Sequence, residues 1–209
     1  MLKFTSKTLY QYLAFATLIL SVLACGGAST ASPVAPVEST SVPAETATQE
    51  TSSEPFGSSP QNPVPRGETI VSADWEFRVV EVVRGEDVMV KLQEGSPFNK
   101  EHSNPAMEYV LILVHAKYIG PDTSATHRID RTFISGSIGS ANVMYDAVSM
   151  HDVTSLSPFL QGELLPGQEV EGWAVIQVAK GETGIMLVIW PRDNGFATGE
   201  ETMRYFSLE

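Results

Sequence analysis

The sequence has very little cysteine and a deficit of basic residues. Cys25 is the only cysteine among 209 residues, so an internal disulfide is excluded and the folded part must be stabilised by packing. Lysine and arginine number 13 against 25 aspartates and glutamates, for a net charge of −12. Phosphate backbones and anionic lipid head groups repel an acidic chain. We therefore expect no nucleic acid partner and no membrane attachment through surface charge.

Sequence motifs of catalysis and of cofactor binding are also absent. There is no phosphate-binding loop, no dinucleotide fingerprint, no dense calcium loop and no Asn-x-Ser/Thr glycosylation acceptor. The segment Ser135–Gly139 has the serine of a nucleophile elbow but lacks the first glycine of G-x-S-x-G, so we interpret it as a flexible hairpin loop. The sequence thus predicts no catalytic residue, no cofactor and no enzymatic activity.

The histidines are the candidate ligands for a metal site. No two of them have the spacing of a local metal-binding motif; they are His102, His115, His127 and His151. We expect His115 at the rim of a central strand, His127 in a loop and His151 at a polar strand end. A zinc or copper site built from histidines that the fold brings together is the alternative that the sequence leaves open.

The N-terminus has the organisation of a signal peptide. Lys3 and Lys7 make a positive start, and Leu9–Ala24 is mostly apolar but shorter than the roughly 20 residues that cross a bilayer. The tetrapeptide Val22–Cys25 resembles the lipobox of bacterial lipoproteins, in which the cysteine thiol receives a diacylglycerol and the chain is cut before it. The resemblance implies a signal peptide over residues 1–24 and a lipid on Cys25. The alternatives are a secreted protein cut near Ala28 and an uncleaved transmembrane anchor.

Residues 25–65 have the composition of a tether. They are rich in Gly, Ala, Ser, Thr and Pro, and Phe56 is their only large aromatic side chain. Such a segment buries too little apolar surface to offset the entropy of ordering it. We expect a disordered linker that holds the following domain away from a membrane.

The sequence pattern of residues 66–209 predicts a β domain. Short apolar or alternating segments are separated by Gly and Pro turns, which is typical of an antiparallel sandwich. The predicted strands are 74–83, 88–92, 109–119, 131–134, 141–145, 169–179, 185–190 and 203–208. A turn at Arg84–Asp87 joins the first two strands. We expect Trp75 and Trp173 in the core, and Trp190, which precedes Pro191, to be partly exposed.

The domain resembles a known family. The Trp75 strand, the strand that ends at Gly120, the turn Leu164–Gly167 and the strand with Gly172 are similar to the telokin-like, immunoglobulin-related domain of many bacterial lipoproteins. Those proteins usually have Asn-x-Gly at the end of the central strand and a Phe and a Val-Pro after the turn, whereas this chain has Tyr118-Ile119-Gly120, Ile176 and Ala179. The shared motifs are turn and core positions. The resemblance implies an all-β, immunoglobulin-like sandwich and no particular chemistry.

The sequence favours a displayed binding module over an enzyme. We expect an extracytoplasmic lipoprotein that is held on the cell membrane by lipid on Cys25. Its partner would be an envelope protein, a peptide or a glycan. The competing hypothesis is an envelope enzyme or a metal-handling protein that uses histidines brought together by the fold.

Overall fold

The structure is a computed structural model that describes residues 56–148, 153 and 156–209. The expected signal peptide, Cys25, His151 and the tether up to residue 55 lie outside the described residues. In chain order the elements are β1 (Thr69–Ser72), β2 (Trp75–Val83), α1 (Glu86–Gly95), β3 (Met107–Tyr118), β4 (His127–Ile129), the 3-10 helix η1 (Arg131–Phe133), β5 (Ile134–Ile138), β6 (Met144–Asp146), β7 (Gly162–Leu164), β8 (Glu169–Ala179), β9 (Met186–Ile189), β10 (Arg192–Asp193), β11 (Phe196–Ala197), the 3-10 helix η2 (Glu200–Thr202) and β12 (Arg204–Ser207).

Two four-stranded antiparallel sheets form the framework. The first has the order β1-β2-β3-β8 and the second the order β12-β9-β5-β6, while β4 with β7 and β10 with β11 make small separate pairs. This arrangement confirms the expected all-β antiparallel sandwich. None of the described helices has both the length and the apolar character needed to span a bilayer.

The longest ladder joins β3 to β8. It runs without a register shift from Met107 opposite Ala179 to Lys117 opposite Glu169. Successive side chains on a strand point to opposite faces, so Val110, Ile112 and Ile176 point inward, and all three are fully buried. They meet side chains of the second sheet in the main core. The pattern of the two strands thus determines which face of the first sheet closes the sandwich.

The outer face of the first sheet is covered by helix α1. The sequence predicted a turn at Arg84–Asp87 and a strand at Val88–Leu92, and this prediction is wrong, because Glu86–Gly95 is helical. Val88 and Leu92 lie one helical turn apart and are buried, whereas Val90 between them is 61% exposed. They pack with Leu111, Trp173 and other side chains on the outer face of β3 and β8. The helix forms because this face is too apolar to be left in water.

Helix α1 also explains the uneven outer face of β3. Tyr109 and Leu111 are buried in the cluster with α1, whereas His115 and Lys117, further along the same face, are only half-buried. The change along this face from Tyr109, Leu111 and Leu113 to His115 and Lys117 predicts that one end of the strand lies deeper than the other. The structure confirms it, and the physical cause is the limited length of the helix.

Strand β5 replaces a predicted loop. The sequence predicted a strand at Arg131–Ile134 and a flexible loop at Ser135–Ser140, whereas Arg131–Phe133 is a 3-10 helix and Ile134–Ile138 is a strand between β9 and β6. Asp130 caps η1, because its Oδ1 accepts a hydrogen bond of 2.8 Å from the Thr132 backbone N–H. A Cβ at Gly136 would collide with the Tyr145 backbone oxygen. The sequence pattern suggested a flexible loop here, but this glycine is required because the neighbouring strand approaches closely.

The packed chain begins before Arg66. Val64 is fully buried and pairs with Phe206 of β12 in a parallel bridge. Its N–H donates to the Tyr205 oxygen at 2.8 Å, and its own oxygen accepts from the Ser207 N–H at 2.8 Å. Val64, which the sequence placed in the tether, therefore packs against the edge of the second sheet.

The short segment Pro158–Leu160, which we call the clamp, follows the free edge of β8. The Trp173 N–H donates to the Pro158 oxygen at 2.8 Å, and the Leu160 N–H donates to the Trp173 oxygen at 3.0 Å. The crossing is close at Gly172, where an added Cβ would lie 2.5 Å from the Phe159 oxygen and from the Leu160 nitrogen. Only glycine fits there without displacing backbone, and the clamp places Phe159 beside β8.

Replacing Gly172 with alanine is expected to destabilise the domain by about 1–3 kcal/mol, the usual cost of forcing extra atoms into a packed site. Gly162→Ala is the matched control, because the nearest atom to its Cβ would be Leu164 Cδ2 at 3.4 Å. We expect the control to stay within about 0.5 kcal/mol of the wild type. Urea unfolding of both variants measures the difference, and equal midpoints would contradict the clamp.

Glu182 joins the turn after β8 to the loop between β5 and β6. Its Oε2 accepts from the Tyr145 hydroxyl at 2.6 Å, and its Oε1 accepts from the Ser140 hydroxyl at 2.8 Å and from the Ser140 N–H at 3.1 Å. The hydrogen bond from Tyr145, followed by those from Ser140, lowers the pKa of Glu182 from 4.5 to about 2. The ionised form is thus the one that the fold prefers.

A lowered pKa makes the contribution of Glu182 to stability depend on pH. Since the pKa is lower in the folded chain, this stabilisation is complete above pH 4.5 and is lost as the pH falls towards about 2. Glu182→Gln should therefore be less stable than the wild type at pH 6, and this difference should shrink between pH 4.5 and pH 2. Thermal melts across that range measure it, with Glu68→Gln, an exposed carboxylate before β1, as control. A difference that does not change with pH would contradict the assignment.

Candidate ligand-binding cavity

The three described histidines lie far apart along β3. The rings of His102 and Tyr109 are tilted at 54° with centroids 4.9 Å apart, and His127 stacks on Tyr118 at 4.0 Å. Tyr109 and Tyr118 are nine positions apart on one strand, which corresponds to about 30 Å at 3.3 Å per residue. His115 lies on the outer face, opposite to that of Tyr118. The fold therefore does not bring His102, His115 and His127 together.

Each described histidine also has its own neighbours. His102 Nδ1 accepts from the Asn104 N–H at 3.0 Å, and its Nε2 lies 2.7 Å from Gln177 Oε1. His115 Nε2 lies 3.4 Å from Glu169 Oε2. Within residues 56–148, 153 and 156–209, no three His, Cys, Asp or Glu side chains lie close enough to hold a metal ion. His127, expected in a loop, is instead the first residue of β4.

The tryptophans occupy the expected environments. Trp75 is 3% exposed and Trp173 is 4% exposed, which confirms that both are core residues. Trp190, at the end of β9, is half-buried as predicted. Its ring Nε1 donates to the Thr198 oxygen at 2.9 Å, so its polar atom is satisfied and its ring is left for apolar contact.

Trp190 lines a cavity at the edge of the sandwich, which we call the arginine cavity. It has a volume of about 490 Å³ and is bordered by η1, the start of β5, the middle of β8 and the start of β10. This volume falls within the range of about 300–1,000 Å³ typical of ligand pockets. Its apolar lining consists mainly of Ile134, Val148, Val153, Phe159, Val175 and Trp190, and its polar lining of Arg131, Thr132, Ser135 and Arg192.

Two guanidinium groups supply all the charge of the described lining. Arg131 and Arg192 both border the cavity, and none of the described residues that line it is a carboxylate. Arg192 Nε donates to the Thr132 oxygen at 2.6 Å, and Arg131 Nη1 lies 3.4 Å from the Val148 oxygen. Among the described residues neither arginine forms an ion pair. The described lining is therefore positive, on a chain whose net charge is −12.

A neighbouring arginine differs, because it is neutralised. Arg128 belongs to an adjoining cleft that shares Arg131, Thr132 and Phe159 with the arginine cavity. Its Nε lies 2.8 Å from Asp130 Oδ2. Burial acts to raise the pKa of Asp130, but hydrogen bonds from Thr132 and the charge of Arg128 outweigh it and lower that pKa below its usual value. Asp130 therefore remains ionised and balances Arg128.

Ser135 adds a polar atom that lacks a partner. Its Oγ is buried and finds no hydrogen-bond partner among the described residues. A buried hydroxyl without a partner costs about 1–3 kcal/mol. The described lining contains this serine but no histidine, cysteine or carboxylate that could activate it.

Sequence reasoning did not identify the arginine cavity. Arg131 and Arg192 lie 61 positions apart in the sequence, and neither belongs to a motif. Ser135 was singled out only as part of a loop. The half-exposed Trp190 was the one sequence signal that pointed to this end of the fold.

Comparisons with known proteins do not identify a family. No family model matches the chain, and no curated protein matches it, so the resemblance to telokin-like lipoprotein domains stays a prediction. Among solved structures, the chain is similar to the YjhA protein from Bacillus subtilis, at 17% sequence identity and a TM-score of 0.44. The match covers 70% of this chain and 99% of YjhA.

Proposed function

We propose that this protein is a membrane-anchored extracytoplasmic lipoprotein whose sandwich domain is a non-enzymatic binding module. The arginine cavity is the observation that carries this proposal. It combines an apolar lining with two guanidinium groups that have no carboxylate partner among the described residues, which is the chemistry of a recognition site. The ligand or partner is an envelope protein, a peptide or a glycan, or a smaller molecule of the envelope.

The anchor in this proposal is a lipid on Cys25. The basic residues Lys3 and Lys7, the short apolar run Leu9–Ala24 and the Ala24-Cys25 junction support it. Two or more acyl chains hold a protein stably at a membrane, whereas one chain holds it only marginally. The composition of residues 26–55 supports a tether that gives the domain reach from the membrane surface.

Cys25→Ser is expected to release the protein from the membrane fraction, because no thiol remains to carry the lipid. Mass spectrometry of the membrane-extracted wild type should find an acylated N-terminal peptide that starts at Cys25. Ser29→Ala, four residues further on, is the control and should remain membrane-bound. A mature chain that starts near Ala28, or a Cys25→Ser protein that stays firmly on the membrane, would count against the anchor.

Filling the arginine cavity is expected to abolish capture of its partner. Ala147 borders the cavity and is exposed, so Ala147→Trp should occupy the mouth without overpacking the core. Ala141→Trp, which is also exposed but does not border the cavity, is the matched control. Affinity capture of envelope components with the full chain should succeed with the wild type and with Ala141→Trp and fail with Ala147→Trp. Equal capture by all three proteins would show that binding does not use this cavity.

A further inference from the structure

The charge of the arginine cavity is opposite to that of the chain as a whole. Acidic residues outnumber basic ones by 25 to 13, yet the charged groups of the described lining are two arginines. Two like charges beside apolar side chains repel one another more strongly than they would in water. An anion bound in the cavity would offset both charges, so the described lining is electrostatically complementary to a negative ligand.

The two guanidinium groups are held in place by backbone oxygens and keep most of their donors. Arg192 uses Nε for the Thr132 oxygen, and its Nη1 lies 3.5 Å from the Gly195 oxygen. Arg131 uses one Nη1 donor, at 3.4 Å from the Val148 oxygen. A guanidinium has five N–H donors, so each arginine retains several of them. Groups that are positioned before binding lose less entropy when a ligand arrives.

Ser135 lies on the same cavity and supplies a third polar contact. Its buried Oγ has no partner within the described part of the chain. A hydroxyl donates one hydrogen bond and accepts others. An oxygen of the ligand would satisfy it, which adds a reason for an oxyanion to occupy this position.

The rest of the lining determines what the anion must be attached to. Phe159 and Trp190 line the cavity together with aliphatic side chains such as Ile134 and Val175. A free inorganic anion would leave this surface uncovered. A doubly charged phosphate would also lose more hydration in such surroundings than a singly charged carboxylate. An apolar group that carries one carboxylate matches both parts of the lining.

We infer that the arginine cavity binds a carboxylate attached to an apolar group, with Arg131 and Arg192 holding the carboxylate and Phe159 and Trp190 contacting the apolar group. This inference rests on the proposed binding function and names its ligand class. Guanidinium and carboxylate are planar and pair through two parallel hydrogen bonds. The same chemistry is offered by a small apolar acid and by the C-terminus of a peptide that ends in an apolar residue.

Calorimetric titration of the full chain in a non-ionic detergent tests the inference. The probes are 3-phenylpropionate, its primary amide, and a tripeptide that ends in phenylalanine as the free acid or as the C-terminal amide. Each acid should bind at least about tenfold more tightly than its amide, since charge-assisted hydrogen bonds are lost in the amide. Titration into empty micelles corrects for partitioning. Binding of both acids indicates a small-acid site, and binding of the peptide acid alone indicates recognition of peptide C-termini.

Variants locate the binding to the two arginines. Arg131→Gln and Arg192→Gln should each weaken acid binding by about tenfold and leave amide binding unchanged. Arg131→Lys keeps the charge and should retain part of the affinity. Arg128→Gln removes a nearby charge that is paired with Asp130 and should bind like the wild type. Circular dichroism melts check that every variant is folded.

Three results would overturn the inference. They are equal affinity for acids and amides, a loss with Arg128→Gln as large as with Arg131→Gln, and no binding of any acid. The titrations test the ligand class, and the capture experiment tests the proposed function. The two proposals can therefore fail separately. If no acid binds but Ala147→Trp still abolishes capture of an envelope component, the cavity binds a partner of another class. If capture is also unaffected, both proposals are wrong.

Discussion

The antiparallel ladder between β3 and β8 is the constraint on which the rest of the structure depends. It pairs the two longest strands over their whole shared length, and its inner face and the end of its outer face nearer α1 are apolar. One face closes the sandwich through residues such as Ile112 and Ile176, and the other is covered by α1 through Val88 and Leu92. The part of the sheet that is buried on both faces is packed tightly and is therefore rigid. It forms one side of the cavity that lies at the edge of β8.

The arginine cavity lies at the β8 edge of this ladder. The segment around Pro158 follows β8 instead of another full strand, and it can do so because Gly172 has no side chain to obstruct it. Phe159 is thereby placed beside β8, while η1 and β10 supply Arg131 and Arg192 to the same cavity. The strand edge that would otherwise be open to pairing with another chain is covered by this segment. One close backbone approach therefore both protects the edge and shapes the cavity.

Local patterns predicted the regular strands well and failed where the partner decided the structure. Glu169–Ala179 was predicted with its observed bounds, because its alternation and its flanking turns agree with each other. The segment Val88–Leu92 was also predicted as a strand but is part of a helix, and it covers the apolar outer face of the sheet. Its acidic first turn and the i, i+4 pair of Val88 and Leu92 were the signals that favour a helix. In β5, Gly136 reads as a flexible loop residue but is required by a neighbouring strand.

The sequence by itself determined the fold class, the core tryptophans Trp75 and Trp173, and the expectation of a lipid on Cys25, because periodicity, turn residues and a short N-terminal motif are local properties of a chain. Only the tertiary structure decided which polar side chains share a site. It separated the three described histidines and brought Arg131 and Arg192 to one cavity. The physical reason is that convergence depends on strand order and on the path of the connecting segments, and neither of these is written in the spacing of the residues concerned.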